Sequence, residues 1–174
     1  MENLRFQFDS VERLGVVSRG KPGHRTFYVF AGDDRSWARF WMEKEELQML
    51  AVAIDEVLES FPEKEELDRE PAQHLIEPTE PPSVEFKVTR LALAYDESRG
   101  RVGLLAFETP EEGDEEQPPI VSCWATREQA EHLSEQIQEV VAAGRPICRL
   151  CGGPIDPEGH VCPRLNGHRN VRPE

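Results

Sequence analysis

The ten residues from Trp41 to Leu50 return in altered form from Trp124 to Leu133. At a constant offset of 83, Trp41 matches Trp124, Lys44 matches Arg127, Glu45 matches Glu128 and Leu50 matches Leu133. Ile54 with Ile137, Val57 with Val140 and Leu58 with Val141 extend the correspondence. Upstream, Arg13-Leu14 answers to Arg90-Leu91 at an offset of 77. The difference of six fits an insertion within the acidic stretch Glu108 to Pro119. A repeat of this length constrains the fold more than any local signal, because what one copy builds the other must build too.

Each copy opens with strand-like sequence. Residues 11–18 (VERLGVVS) and 84–95 (VEFKVTRLALAY) are rich in apolar and β-branched residues. Each ends at a turn, Gly20-Lys-Pro-Gly23 or Asp96-Glu-Ser-Arg-Gly100. A second strand follows at Thr26–Phe30 or Val102–Phe107, and a third at Ser36–Met42 or Ile120–Ala125. Short polar turns between successive strands imply antiparallel hairpins. The period then changes from 2 to 3.6. Leu47, Leu50, Ile54, Val57 and Leu58 recur at helical spacing, as do Ala130, Leu133, Ile137, Val140 and Val141.

Thr126 with Gln129 three residues on reads as a capping box. Gly144-Arg145-Pro146 reads as a helix stop. Glu43 is a weaker cap for the first helix. The expected fold is therefore α+β: two βββα units, residues 1–61 and 84–144, each helix on its own sheet. An acidic, proline-rich linker (62–83) joins them, and a tail (145–174) follows. One three-stranded sheet with one helix has little core, so the two copies are expected to pack about a pseudo-two-fold axis. The insertion after Glu108 is expected to be a solvated loop.

The tail carries the clearest chemistry. Cys148-Arg-Leu-Cys151 is followed by Gly152-Gly153, and after eight intervening residues come His160 and then Cys162. Two residues between thiolates let both reach one ion from a tight turn, and structural zinc takes four such ligands. Cys148, Cys151, Cys162 and His160 form a Cys₃His set, with His168 as the alternative fourth ligand across Pro163 to Gly167. With four ligands at hand the expected ion is structural Zn²⁺, which supplies folding energy to a segment with few apolar residues. Asp156 and Glu158 belong to a turn-like Asp-Pro-Glu-Gly and do not argue for catalysis.

The combination of Pro22-Gly-x-Arg-Thr-Phe27, Ala142-Ala-Gly-Arg-Pro146 and the tail Cys-x-x-Cys-Gly…Asp-Pro-Glu-Gly-His-x-Cys-Pro-Arg-x-Asn-Gly resembles domain-of-unknown-function family 3090, a family of bacterial proteins of about this length. The resemblance runs over nearly the whole chain. It implies His160 as the fourth ligand, because Gly-His-x-Cys is the recurring element. It implies no activity. The acidic loop and the proline-rich linker depart from it in length.

Composition narrows the classes. A formal net charge of −14 opposes non-specific contact with nucleic acid and anionic membrane. The first eight residues have no basic segment leading into an apolar run, and no stretch approaches the ~20 apolar residues that span a bilayer. The expected setting is the cytoplasm.

Trp41 and Trp124 sit at corresponding strand ends, expected to pack under the helices or to form a paired aromatic patch. Cys123 is expected to be a small buried residue. His24, His74 and His132 stand apart from any nucleophile. Arg13, Arg25, Arg35 and Arg39 in the first unit, with Arg145, Arg149, Arg164, Arg169 and Arg172 in the tail, are candidates for a basic face. Arg13, Arg25, Arg39, Trp41 and Trp124 are the candidate binding surface. No phosphate loop, dinucleotide fingerprint or serine elbow is present. The expected function is a non-catalytic, zinc-stabilised interaction or adaptor protein with another protein as partner. The alternatives are a nucleic-acid-associated regulator and an enzyme acting on a phosphate-bearing ligand. A pocket joining Arg25 or Arg39 to an acidic side chain would favour the last.

Overall fold

The computed structural model describes residues 5–21, 23–61, 76–108, 117–142, 150, 155, 159–162, 164 and the backbone of 170–171. Two four-stranded sheets and two helices make a mixed α+β fold. The elements are β1 (Phe6–Phe8), β2 (Arg13–Arg19), β3 (Thr26–Gly32), β4 (Trp37–Met42), α1 (Lys44–Ser60), β5 (Val84–Lys87), β6 (Arg90–Asp96), β7 (Arg101–Phe107), β8 (Val121–Thr126), α2 (Arg127–Ala142), β9 (His160–Val161) and β10 (Asn170–Val171). The helix stop at Gly144, the interior of the linker and the interior of the acidic loop lie outside the described residues.

The antiparallel hairpins form as their alternation requires. In β3 Phe27, Val29 and Ala31 enter the core, and in β4 Ala38, Phe40 and Met42 do. The intervening residues face the other side, because side chains alternate along a strand. Strands β6, β7 and β8 repeat the arrangement, with Val102, Leu104 and Ala106 opposite Val121, Cys123 and Ala125. The pairing registers refine the sequence offsets: Tyr28 lies opposite Trp41 as Gly103 lies opposite Trp124, an offset of 75 in this strand, because the β6–β7 turn is two residues shorter than the β2–β3 turn.

Two expectations are corrected. Residues 84–95 are not one strand, and Phe6–Phe8, which had no assigned element, is a strand. The sheet orders are β2-β3-β4-β5 and β1-β8-β7-β6. Thus β5, at the head of the second copy, pairs parallel with β4 of the first, and β1 pairs parallel with β8 of the second. The strands are exchanged.

The chain changes sheet between adjacent residues. Val88 N–H donates to Trp41 O at 3.0 Å, whereas Thr89 N–H donates to Phe107 O at 2.9 Å. In the other copy Val11 N–H donates to Trp124 O at 3.1 Å and Glu12 N–H to Gly32 O at 2.9 Å. Each backbone donor is satisfied, but in different sheets.

The helices also pack differently from the expectation. Each stripe was to lie on its own sheet. Instead α1 and α2 pack against each other, α2 rests chiefly on β2 and α1 reaches β6. Ser134 Oγ donates to Ala51 O at 3.4 Å and to Asp55 Oδ1 at 2.7 Å. Ala51 and Ser134 correspond at offset 83, so corresponding positions meet at the helix crossing. Leu47, Leu50 and Ile54 of α1 join Leu133, Ile137 and Val141 of α2 in one core with both sheets. Burying each large side chain contributes about 1.5–3 kcal/mol.

Both helix starts are capped by side chains. Gln129 N–H donates to Thr126 Oγ1 at 3.1 Å and Thr126 N–H to Gln129 Oε1 at 2.9 Å, the expected capping box. At the corresponding place Glu43 N–H donates to Glu46 Oε2 at 2.8 Å, so Glu46 supplies the half of the capping box that Gln129 supplies in the other helix. Gln129 Nε2 also donates to Val11 O at 2.7 Å, tying α2 to the point where the chain crosses between sheets.

Candidate functional site

On sheet β2-β3-β4-β5 the face turned from the core carries Arg13, Arg19, Tyr28, Phe30, Trp37, Arg39 and Trp41, by alternation and register. Residues 76–83 lead into β5 beside this face. Glu77 is clamped on it: Oε1 accepts from Arg39 Nη1 at 2.8 Å and Oε2 from Arg19 Nη2 at 2.7 Å. Arg39 Nε donates to Glu85 Oε2 at 2.8 Å. Both guanidinium groups sit over the Tyr28 ring, at 5.4 Å for Arg19 and 5.2 Å for Arg39. Arg13 reaches Glu80 at 3.9 Å.

The Arg39 and Glu77 side chains are only 15% and 16% exposed. Burial works against the Arg39 charge, but hydrogen bonds to Glu77 and Glu85, and their charges, outweigh it and hold the guanidinium above its ordinary value. Trp37 is buried beneath Arg39, edge-on to Phe30, and among the described residues its Nε1 has no hydrogen-bond partner.

Neither Trp41 nor Trp124 belongs to the core under the helices. Each lies on the outer face of its own sheet. Trp41 carries the Lys87 ammonium 5.0 Å from its ring centroid. Trp124 lies flat on Gly103, where an added Cβ would come within 2.7 Å of the indole. Beside it on that face are half-buried Leu105 and Phe107, the latter under the Arg90 guanidinium at 4.0 Å.

Arg25 joins neither face. It stands at the end of the β2–β3 hairpin, and its Nη1 donates to Val140 O at 3.3 Å near the end of α2. There it lines a cleft of about 250 Å³ with Phe27, Glu43, Lys44, Glu45 and Val141. A pocket joining Arg25 to acidic side chains therefore exists.

Of the tail, Cys148, Cys151 and His168 lie outside the described residues, as do Arg145, Arg149, Arg169 and Arg172. Arg164 and Arg35 are exposed. His160 opens β9, paired with Val171 of β10, and Cys162 follows two residues later with 0% exposure. On extended backbone, side chains two residues apart leave on the same side, which suits a His-x-Cys pair to one ion. Gly159 precedes them at φ +102°, a conformation that L side chains rarely adopt, so the Gly-His-x-Cys element has a backbone reason for its glycine. Among the described residues no group of three potential metal ligands occurs.

Cys123 is the buried small residue expected, and burial pushes its thiol up to about 12. His24 is exposed in the hairpin turn, His132 is half-buried on α2, and His74 lies outside the described residues. No helix among the described residues is long and apolar enough to cross a membrane.

Sequence reasoning missed the acids. Glu77 and Glu85 look like linker and strand-edge charges until strand exchange brings them to Arg39. A family model described as a protein of unknown function (DUF3090) matches residues 6–162. No curated protein and no solved structure gives a match.

Proposed function

The chain belongs to the DUF3090 family of proteins of unknown function, and from that premise we propose that it is a non-catalytic, zinc-stabilised interaction protein of the bacterial cytosol. The observation that carries this reading is the Glu77 clamp. The outer face of sheet β2-β3-β4-β5 already holds an extended acidic, proline-bearing segment of its own chain by Arg19, Arg39 and Arg13. The fold thus offers sheet faces as docking platforms. Among the described residues no such segment lies on the face of β1-β8-β7-β6, with half-buried Trp124, Leu105 and Phe107, and this is the face we assign to a partner protein, since aromatic anchors of this kind concentrate binding energy.

Cys148, Cys151, His160 and Cys162 would hold the zinc that orders the tail, with His168 as the alternative to His160. The like construction of the two sheets supports reading the chain as a duplicated unit. A photo-crosslinking residue at position 105 should trap a protein of defined mass in the native host, and Trp124→Ala should abolish the adduct. Absence of any adduct at 105 rejects the reading.

An enzyme or binding protein for a phosphate-bearing ligand is the second reading, favoured by the Arg25 cleft alone. The nucleic-acid reading gains no specific observation, and the charge of −14 stands against it.

A further inference from the structure

The segment that leads into β5 lies on its sheet as a peptide ligand would. Residues 76–83 read Ile-Glu-Pro-Thr-Glu-Pro-Pro-Ser. Pro78, Pro81 and Pro82 have no N–H to give to a strand ladder, and they favour an extended backbone. Among the described residues, the one backbone hydrogen bond from this segment to the sheet is Ser83 N–H to Trp37 O at 2.8 Å, immediately before β5. The rest is held by two carboxylates, Glu77 on Arg19 and Arg39, and Glu80 on Arg13.

That hold is uneven. The Arg39–Glu77 pair is shielded, but Arg19 is half exposed and Glu80 is in water. Ile76, Thr79 and Pro81 are exposed as well. Ion pairs that water reaches hold weakly. The face beneath supplies both guanidinium groups over the Tyr28 ring and the buried Trp37, whose Nε1 has no partner among the described residues. The segment in place answers the cations and leaves a buried donor of the same face unmet, so it is not the best occupant this face could have.

We propose that the outer face of sheet β2-β3-β4-β5 is a docking site for an extended, acidic, proline-bearing peptide of a partner protein, held shut by residues 76–83 until the partner's segment displaces them. Arg19 gives one N–H to Glu77, and its fork has further donors on the exposed side. An incoming carboxylate takes Arg19 first, while Glu77 stays on Arg39, and a second carboxylate then replaces Glu77 there. Glu85 belongs to β5 and remains on Arg39 throughout. A tethered segment acts at about millimolar effective concentration, so a free peptide gains access chiefly when the tethered one is weakened. The site is on the other sheet from Leu105 and Trp124, so it stands or falls separately from the adduct at position 105.

Fluorescence anisotropy of a labelled synthetic peptide of residues 76–83, added to the full-length protein, reads the exchange. The Glu77→Ala/Glu80→Ala protein, its own segment released, should bind the peptide at least tenfold more tightly than the parent, and added salt should weaken binding. A peptide with glutamine at both glutamate positions should not bind. Arg19→Ala in the released protein leaves the Arg39–Glu85 contact in place and should weaken binding tenfold or more. The parent gives a reading that needs no variant: the Arg19 and Arg39 side-chain N–H signals in its NMR spectrum should shift with millimolar glutamate peptide and not with the glutamine peptide. The proposal is overturned if the released protein does not bind the peptide at millimolar concentration, if the parent or the glutamine peptide binds equally well, if Arg19→Ala changes nothing, or if the parent's signals do not move. Dimerisation of the released protein in place of peptide binding also overturns it, because the occupant would then be a second copy.

Discussion

Phe86 faces Phe40 across a parallel strand pair, ring centroids 5.8 Å apart, although β5 follows the linker and β4 precedes it. Phe8 faces Cys123 in the other sheet at the corresponding register. Each sheet is thus completed by a strand from the other copy, so neither can be whole without both. Phe86 and Phe8 are 6% and 3% exposed. Phe86→Ala and Phe8→Ala should each destabilise the protein by about 3–5 kcal/mol. Denaturant unfolding followed by circular dichroism and by the fluorescence of a chain keeping only Trp124 should show one coincident transition. Separate transitions for the two sheets would contradict the shared core.

In the Glu77 clamp the Arg39 pair is largely withdrawn from water, whereas Arg19 is half exposed. Glu77→Gln keeps the shape and removes the charge, and it should lower stability by about 1–3 kcal/mol. Arg39→Ala should lower it further, because Glu77 and Glu85 both lose a donor. Chemical denaturation of the two variants gives the comparison, and equal loss from the more exposed Arg13→Ala would refute the ranking.

Gly103→Ala would place a methyl group within 2.7 Å of the Trp124 ring. The indole must lift from the sheet, with an expected loss of about 1–3 kcal/mol and a red-shifted emission from Trp124. An unchanged spectrum would mean that the ring does not rest on Gly103.

Asp96 Oδ1 accepts from Ser98 Oγ at 2.6 Å, Ser98 N–H at 3.0 Å and Arg99 N–H at 3.2 Å in the β6–β7 turn. The Ser98 hydroxyl above all, with the two backbone donors, holds the carboxyl below its ordinary value despite some desolvation. A carboxyl lowered by folding stabilises above its unfolded pKa, and that contribution disappears as pH falls through the folded value. Carbon-13 carboxyl titration should therefore find Asp96 below the ordinary ~3.9, and Asp96→Ala should flatten the acid side of the stability profile. A midpoint at or above the ordinary value would disprove the arrangement.

Cys123 should resist thiol reagents in the native state, since the thiolate is the reactive form and burial holds its pKa near 12. Peptide mapping after alkylation at pH 8 should find it unmodified until denaturant is added. Modification in the folded protein would show that β8 opens readily.

Much of this was legible from residue order. The two helix stripes and the Thr126 capping box follow from local periods, and the hairpins from short polar turns. Buried Cys123 could be read from its place in a strand. The Arg39 environment could not, because Glu77 and Glu85 are distant along the chain and nothing near either names its partner. Which side Trp41 and Trp124 take could not be read, because an isolated strand does not say which of its two faces meets the helices.

The sequence by itself determined the two helices and the hairpin strands, since their periods are written into every few residues, and the family match over residues 6–162 accords with the resemblance read from it. Only the tertiary structure decided where β1 and β5 belong. A strand of three or four residues has backbone donors that any sheet edge satisfies equally, and its few side chains carry too little pattern to choose. The choice is made by the whole molecule. At Val11–Glu12 and Val88–Thr89 consecutive N–H groups turn to different sheets, and that crossing alone buries Phe8 and Phe86 while bringing both helices into one core.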